Sequence, residues 1–286
     1  MAVQANREHK LRFLTLLAAL FAFSTAALAD GPKIPNFWDL KERLPKPEIA
    51  NVERLRFLTT TDFPPFNYLD AQGRLSGFHV DLARRICGEL GILEKCQIQA
   101  LPWSELDAAM SAGQGEALMA GLAINAETRD RYVFTRPYLE FPARFIVPKA
   151  SAAAEPMVKA LDGKRVGVVA GTAHERMLRA LFPAAKPITY SQPQWLYDDL
   201  RGGRLDAAFG DGMRLSFWLA GQDAKACCKF AGGPYLAPSY FGLGLAIAVT
   251  PENAVLADAF NYALRELQAK GVFAELYLRY FPVSFY

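Results

Sequence analysis

The sequence predicts an α/β protein built on parallel sheets. From Leu55 onward, short apolar runs alternate with amphipathic stretches of helical period, the order expected of βαβ units. An internal echo bears on how many such units there are. Gly113-Gln-Gly-Glu116-Ala117-Leu-Met-Ala-Gly121 resembles Gly203-Arg-Leu-Asp206-Ala207-Ala-Phe-Gly-Asp211 at an offset of 90 residues. Each reads as a helix end, a glycine break, an acidic residue and a buried strand. Two such units facing each other place Gly121 and Asp211, at their strand ends, on opposite walls of one cleft. The other reading is that helix-glycine-strand units simply look alike.

In chain order, the N-terminus reads as a processing segment. Arg7, Lys10 and Arg12 outweigh Glu8, and residues 13–23 are apolar except Thr15. That run is shorter than the roughly 20 residues a bilayer needs. It leads to Ala27-Leu28-Ala29, a small-x-small cleavage pattern, so residues 1–29 are expected to be a secretory signal and the protein periplasmic. The competing reading is a buried apolar helix. No cysteine follows the cut, so no lipid anchor is expected. Residues 30–50, with Pro32, Pro35, Pro45 and Pro47, read as an extended arm anchored by Phe37 and Trp38. Strands are expected at 55–60, 98–101, 117–122, 145–148, 165–169, 207–209 and 243–249. Helices are expected at 80–90, 104–111, 173–181, 195–201, 254–269 and 271–280.

Composition narrows the function. The 286 residues are 52% apolar and 21% charged, which excludes disorder. Lys+Arg is 32 against Asp+Glu 29, a net +3 with no dense basic stretch, so no nucleic-acid partner is expected. Three histidines, one of them His9 in the signal, leave little for a metal site, and neither metal nor cofactor is expected. Export puts the four cysteines in an oxidising compartment. Cys87, late in a helix, and Cys96, opening a strand, flank a short turn that a disulfide can staple. Cys227 and Cys228 are adjacent; a vicinal bridge, free thiols and pairing elsewhere all stay open, since four cysteines allow three full pairings.

Candidate chemistry sits at strand ends. Val168-Val-Ala-Gly171-Thr172-Ala173-His174 is a strand-loop-helix junction whose N–H groups suit an anion, with Thr172 as the cap. An ordinary helix start is the alternative. Asp211, on a loop after a buried strand, can meet a ligand ammonium or cap the helix that follows. Phe63, after the first strand, and Trp103, after another, can stack on a ligand or belong to the core. No phosphate loop, dinucleotide fingerprint or nucleophile elbow is present.

Taken in order, several motifs resemble the periplasmic solute-binding proteins of polar amino-acid ABC importers, the family 3 extracellular solute receptors. They are Thr60-Thr-Asp-Phe63-Pro-Pro-Phe66, Gly77-Phe-His-Val-Asp81-Leu, Ala120-Gly121-Leu-Ala123-Ile, Tyr132-Val-Phe134-Thr-Arg-Pro-Tyr138, Gly163 to Thr172, Gly202 to Asp211, and Gly271-Val-Phe-Ala-Glu-Leu-Tyr before Tyr280-Phe281. The resemblance runs from Leu55 to Phe281. It implies a type II binding-protein fold of two α/β lobes joined by two crossover strands. Lobe 1 is residues 51–137 and 242–286, lobe 2 is 143–236, and the hinge is 138–142 and 237–241. It also implies a small disulfide between Cys87 and Cys96.

The same resemblance implies the ligand set. Phe63 and Trp103 wall the ligand, the segment Gly121 to Ala123 receives its carboxylate, and Gly171, Thr172, His174 and Asp211 close from the other lobe, with Asp211 on the ammonium. Two departures stand out. Ala123 replaces a hydroxyl residue, and the carboxylate-clamping arginine falls at Thr128, with Arg129 one residue on. A one-residue shift turns a helical side chain by about 100°. Arg129 therefore reaches in only if residues 125–129 are reshaped. An acidic residue is usual where His79 stands; that position is expected on the outer face, with no role.

The expectation is a monomeric, non-catalytic receptor that binds a small polar solute, such as an amino acid, and presents it to ABC permease subunits. One alternative is a dehydratase of prephenate-like acids on the same scaffold, with Glu127, His174 or Asp211 as acid or base. Another is a sensor module acting in trans.

Overall fold

Apolar strands followed by amphipathic helices build two five-stranded sheets in the computed structural model, which describes residues 32–49 and 52–286. The expected signal, residues 1–29, lies outside them. Among the described residues no helix is long and apolar enough to cross a membrane.

The chain enters the first sheet with β1 (Leu55–Thr59) and then makes a small meander: β2 (Asp62–Phe63), β3 (Asn67–Leu69) and β4 (Leu75–Ser76). Helix α1 (Phe78–Leu90), β5 (Cys96–Ala100), α2 (Trp103–Ser111), β6 (Ala117–Leu118), α3 (Ala126–Arg129) and β7 (Val133–Phe134) follow. It crosses to β8 (Ala143–Pro148), α4 (Met157–Ala160), β9 (Arg165–Val169), α5 (Ala173–Leu181), β10 (Lys186–Tyr190), α6 (Pro193–Arg201), β11 (Ala207–Asp211), α7 (Gly212–Ala220), β12 (Cys228–Tyr235) and α8 (Pro238–Phe241). It then returns through β13 (Ala248–Val249), α9 (Ala254–Ala269) and α10 (Val272–Tyr280). The sheet orders are β5-β1-β6-β13-β7 and β10-β9-β11-β8-β12.

This is the two-lobed α/β architecture expected, with one correction. The sheets are mixed: β13 runs antiparallel to β6 and β7, and β8 antiparallel to β11 and β12. The reason is connectivity, because each crossing delivers a strand into a sheet the chain did not just leave. The crossings meet each other. Leu139 and Leu245 form an antiparallel bridge, the Leu245 N–H donating to the Leu139 carbonyl at 2.7 Å and Tyr138 N–H to the Leu245 carbonyl at 2.9 Å. This pairing also shortens the strand expected at 243–249 to Ala248–Val249, since Leu245 serves the crossing. The strand expected at 117–122 stops at Leu118, and Gly121, at φ +82°, turns the chain.

The internal echo has a physical basis. Glu116 accepts from the Arg56 backbone at 2.7 Å and pairs with its guanidinium, which also reaches the Gly113 carbonyl at 2.6 Å. Asp206 accepts from the Arg165 backbone at 2.8 Å and pairs with its guanidinium, which reaches the Gly203 carbonyl at 3.3 Å. Each clasp fixes the start of one parallel strand against the turn before its neighbour.

Helix α1 presents Phe78, Leu82, Ala83, Ile86 and Leu90 inward at helical spacing and ends on left-handed Gly91. They join Phe57, Phe260, Phe273 and Phe281 in the first lobe's core. Each fully buried side chain of this kind contributes roughly 1.5–3 kcal/mol. The second sheet is covered on one face by α5, over Phe145, Val168 and Phe209, and on the other by α6 and α7, through Leu196, Leu200, Leu215 and Trp218. Cys87 pairs with Cys96, and Cys227 with Cys228. The arm is irregular along 34–49. Trp38 is buried under the Arg136 guanidinium, which also pairs with Glu42, and α9 holds the arm through Gln268 and the Pro35 carbonyl at 3.0 Å.

His79 requires a second correction. It is buried, not on an outer face. Asn67 Oδ1, 2.7 Å from Nδ1, can only accept, so Nδ1–H donates and Nε2 accepts from the Tyr138 hydroxyl at 2.8 Å. The neutral ring thus ties α1 to the first crossing. Burial lowers its pKa from 6.5 to about 3. The unfolded chain therefore binds a proton below pH 6.5 that the native state refuses until about pH 3, and stability falls with pH across that window. From this group alone the loss at pH 5 is about 2 kcal/mol, at roughly 1.4 kcal/mol per unit. Urea midpoints at pH 7 and pH 5 should show it, with a flatter dependence in His79→Gln. An unchanged slope in that variant would rule His79 out as its source.

Candidate functional site

Parallel pairing brings the carboxyl ends of β9 and β11 to one edge of the second sheet, and those of β1 and β6 to one edge of the first. Ligands of open α/β sheets bind outside such ends. On the second lobe this edge holds a cavity of about 340 Å³. Val169, Leu196, Tyr197, Phe209 and Met213 give it apolar walls, and Thr172, His174, Asp211 and Arg214 supply its polar groups. Three of the sequence candidates, Thr172, His174 and Asp211, are thus brought together.

Asp211 caps α7. Its Oδ1 accepts the Arg214 N–H at 2.7 Å, and Oδ2 makes no hydrogen bond or ion pair among the described residues. Capping and ligand contact, alternatives in the sequence, are compatible because a carboxylate has two oxygens. Thr172 caps α5, accepting from Glu175 N–H at 3.2 Å while donating to the Val169 carbonyl at 2.7 Å. His174, on the first turn of α5, stacks on Phe241, with ring centres 4.6 Å apart, and meets Phe209 edge-on at 6.2 Å. Burial lowers its pKa; Asp211 pulls it up and Arg214 pushes it down again. Burial raises the Tyr197 pKa, an effect the Arg214 charge opposes.

Gly171 is differently placed from the expectation of an open anion site. Its N–H donates to Glu175 Oε2 at 2.8 Å, so the helix's own carboxylate occupies it. Arg179 Nη2 holds Glu175 in turn at 2.9 Å. Gly171 does not line the cavity.

On the first lobe, Phe63 ends β2 and stacks on Phe66, with centres 4.7 Å apart. Gly121 lies against its ring: a Cβ there would sit 2.9 Å from Phe63 Cε1. Phe63 and Gly121 therefore form one unit. Trp103, half-exposed, opens α2 and lines a separate hollow with Leu122 and Tyr132. Ala123 is exposed, and its carbonyl accepts the Thr128 hydroxyl at 2.7 Å. Thr128 is buried in a reciprocal capping box with Asn125. Arg129 is exposed and lines another hollow, with Ile124, Phe134 and Leu243. Residues 125–129 thus form a regular capped turn, and Arg129 does not join the Asp211 cavity.

The sequence reading missed Arg214, Tyr197, Glu175 and Phe241. Arg214 was visible as a cation one turn after Asp211; Phe241 arrives from the far end of the chain and left no local signal.

The sequence pattern of the bacterial extracellular solute-binding proteins, family 3, matches residues 55–283. The chain belongs to this family. It is 30% identical over 230 residues to ABC transporter arginine-binding protein 1 of Escherichia coli strain K12, a match covering 80% of this chain and 91% of that protein. It is also 30% identical over 236 residues to the histidine-binding periplasmic protein of Salmonella typhimurium, covering 82% and 90%. Among solved structures, an ancestral cyclohexadienyl dehydratase shares the fold, with a TM-score of 0.68 at 20% identity over 85% of this chain and 98% of that one.

Gly121→Ala should cost more than Gly73→Ala. Both positions have positive φ, at +82° and +73°, but only Gly121 has a ring in the way. Denaturation should show a loss of about 1 kcal/mol or more at Gly121, and equal losses at the two sites would remove the contact with Phe63 as its cause.

Proposed function

We propose that this protein is a periplasmic receptor that binds an amino acid between its lobes and presents it to the permease of an ABC importer. The observation carrying this reading is Asp211: a carboxylate at the carboxyl end of a buried strand that lines a cavity with apolar walls, one oxygen fixed by a helix N–H and the other without a partner among the described residues. That arrangement suits an ammonium group. Phe63 and Gly121, at the matching strand ends of the first lobe, form the opposing wall. Closure about the paired crossings at Leu139 and Leu245 then sequesters the ligand. Ligand bridging both walls favours the closed state by its differential affinity.

The family, and the names of the relatives as arginine- and histidine-binding proteins, support the amino-acid reading. The amino-terminal signal pattern supports export, after which the protein acts as a monomer that meets its permease transiently. Its role ends at binding and release, with no catalytic residue.

Calorimetry of the purified protein against the common L-amino acids tests this, with arginine, histidine, lysine and glutamine first. Asp211→Asn separates the two duties of the side chain, since asparagine caps a helix as well as aspartate does. The variant should keep wild-type stability and lose about ten- to a hundred-fold in affinity, as a hydrogen bond to a charged group is worth about 1.5–3 kcal/mol. No binding across the panel removes the reading; conversion of prephenate or arogenate to an aromatic product would replace it with a dehydratase.

A further inference from the structure

Three of the positions expected to meet the ligand's carboxylate, 128, 129 and 171, are placed or engaged elsewhere. At the position of the family-type arginine stands Thr128, buried and bonded to Asn125 and the Ala123 carbonyl. The neighbouring Arg129 lines a different hollow. On the second lobe, the Gly171 N–H is taken by Glu175. An α-amino acid whose ammonium meets Asp211 would therefore bring a carboxylate to a site with no evident cation for it, except one.

We propose that Arg214 supplies that charge, so that the carboxylate of a zwitterionic α-amino acid is clamped from the second lobe, beside Asp211. Arg214 lines the same cavity as Asp211. Its side chain makes no ion pair or hydrogen bond among the described residues, although it is exposed and one turn from a carboxylate. Side chains three residues apart on a helix stand about 5–6 Å apart at Cβ. Asp211 and Arg214 occupy the N-cap and third positions of α7 and are joined through the Arg214 backbone N–H, yet the Arg214 guanidinium makes no ion pair with the Asp211 carboxylate. The pair is adjacent but open. A ligand carrying ammonium and carboxylate on one carbon would offer one charge to each of them, which a simple amine or a dicarboxylate cannot do. The charge of Arg214 also acts on His174 and Tyr197, which flank the cavity.

The placement is costly for folding alone. A cation in the first turn opposes the helix dipole, by about 0.3–1 kcal/mol at exposed sites, and that turn holds no acidic residue beyond the cap. A residue kept there for stability should be neutral or acidic.

The proposal rests on the amino-acid reading above and is tested separately from it. The tightest-binding amino acid of the panel is titrated beside its α-carboxamide, against wild type, Arg214→Ala, Arg214→Lys and Arg129→Ala. Wild type should prefer the acid by about ten-fold or more, the scale of a lost charged hydrogen bond. Arg214→Ala should bind the acid at least about ten-fold more weakly, bring acid and amide together, and melt no lower than wild type. Arg214→Lys should restore part of the preference. Wild-type affinity in Arg214→Ala, an equal loss for acid and amide, or collapse of the preference in Arg129→Ala instead would overturn it. A wild-type protein that binds no amino acid defeats the underlying reading, and this one with it.

Discussion

The pairing of the two crossings at Leu139 and Leu245 is the constraint from which the rest of the molecule follows. Because these backbone segments run antiparallel and bond to each other, each lobe must accept one antiparallel strand from the other's side of the chain. That requirement makes both sheets mixed. Side chains reinforce the junction. His79 anchors the Tyr138 hydroxyl, and the Tyr286 hydroxyl bonds to the Glu140 backbone. Arg144 of the second lobe donates to the Phe285 carbonyl at 3.1 Å while its guanidinium covers the Phe230 ring. The segment after α10 is therefore a third tie between lobes, fixed by polar contacts that accompany an apolar cluster of Tyr277, Phe281 and Phe285.

What the sequence made legible was whatever had a local physical cause. Helices α5 and α9 and strand β9 fall at the expected bounds because cap, periodicity and apolar run agree there. The echo between Gly113–Gly121 and Gly203–Asp211 was legible because both lobes clasp a parallel strand, β1 in one and β9 in the other, with arginine, carboxylate and glycine carbonyl. The meander of β2, β3 and β4 was not, since strands of two or three residues carry no period. Nor was β12, which pairs with β8 at residues 228–231 and again at Tyr235, with Gly232-Gly233-Pro234 as the irregularity between. His79 was misplaced despite lying on the apolar stripe of α1 with Leu82, Ala83 and Ile86. Family habit, an acidic residue at that position, outweighed the periodicity, and the periodicity was right.

The site divides the same way. Thr172, His174 and Asp211 fall on one cavity because each sits at or just after a strand end. The arginine question was not resolvable by counting along the chain, since it depends on which way one turn faces. Asn125 caps α3 together with Thr128, which makes residues 125–129 a regular turn with Arg129 on a different hollow from Asp211.

The ion pairs of the fold contrast with one neighbouring pair in the second lobe that stays open. Arginine and carboxylate pairs occur widely in this fold, at Arg56 with Glu116, Arg165 with Asp206 and Arg204 with Asp199, each closed on itself. Glu175 is likewise closed, held by Arg179 and the Gly171 N–H, and these contacts keep its carboxyl below the usual range. Asp211 and Arg214 are as near in sequence as any of these pairs and remain unjoined. Asp211 has one oxygen tied to the helix, which holds the carboxylate in place and limits its reach toward the guanidinium. Burial lowers the pKa of His174 beside them, with Asp211 acting against that shift and Arg214 with it. A closed pair would lower the energy of the empty protein and compete with a zwitterion for both charges; an open one, held apart by a helix cap, leaves both charges to the ligand.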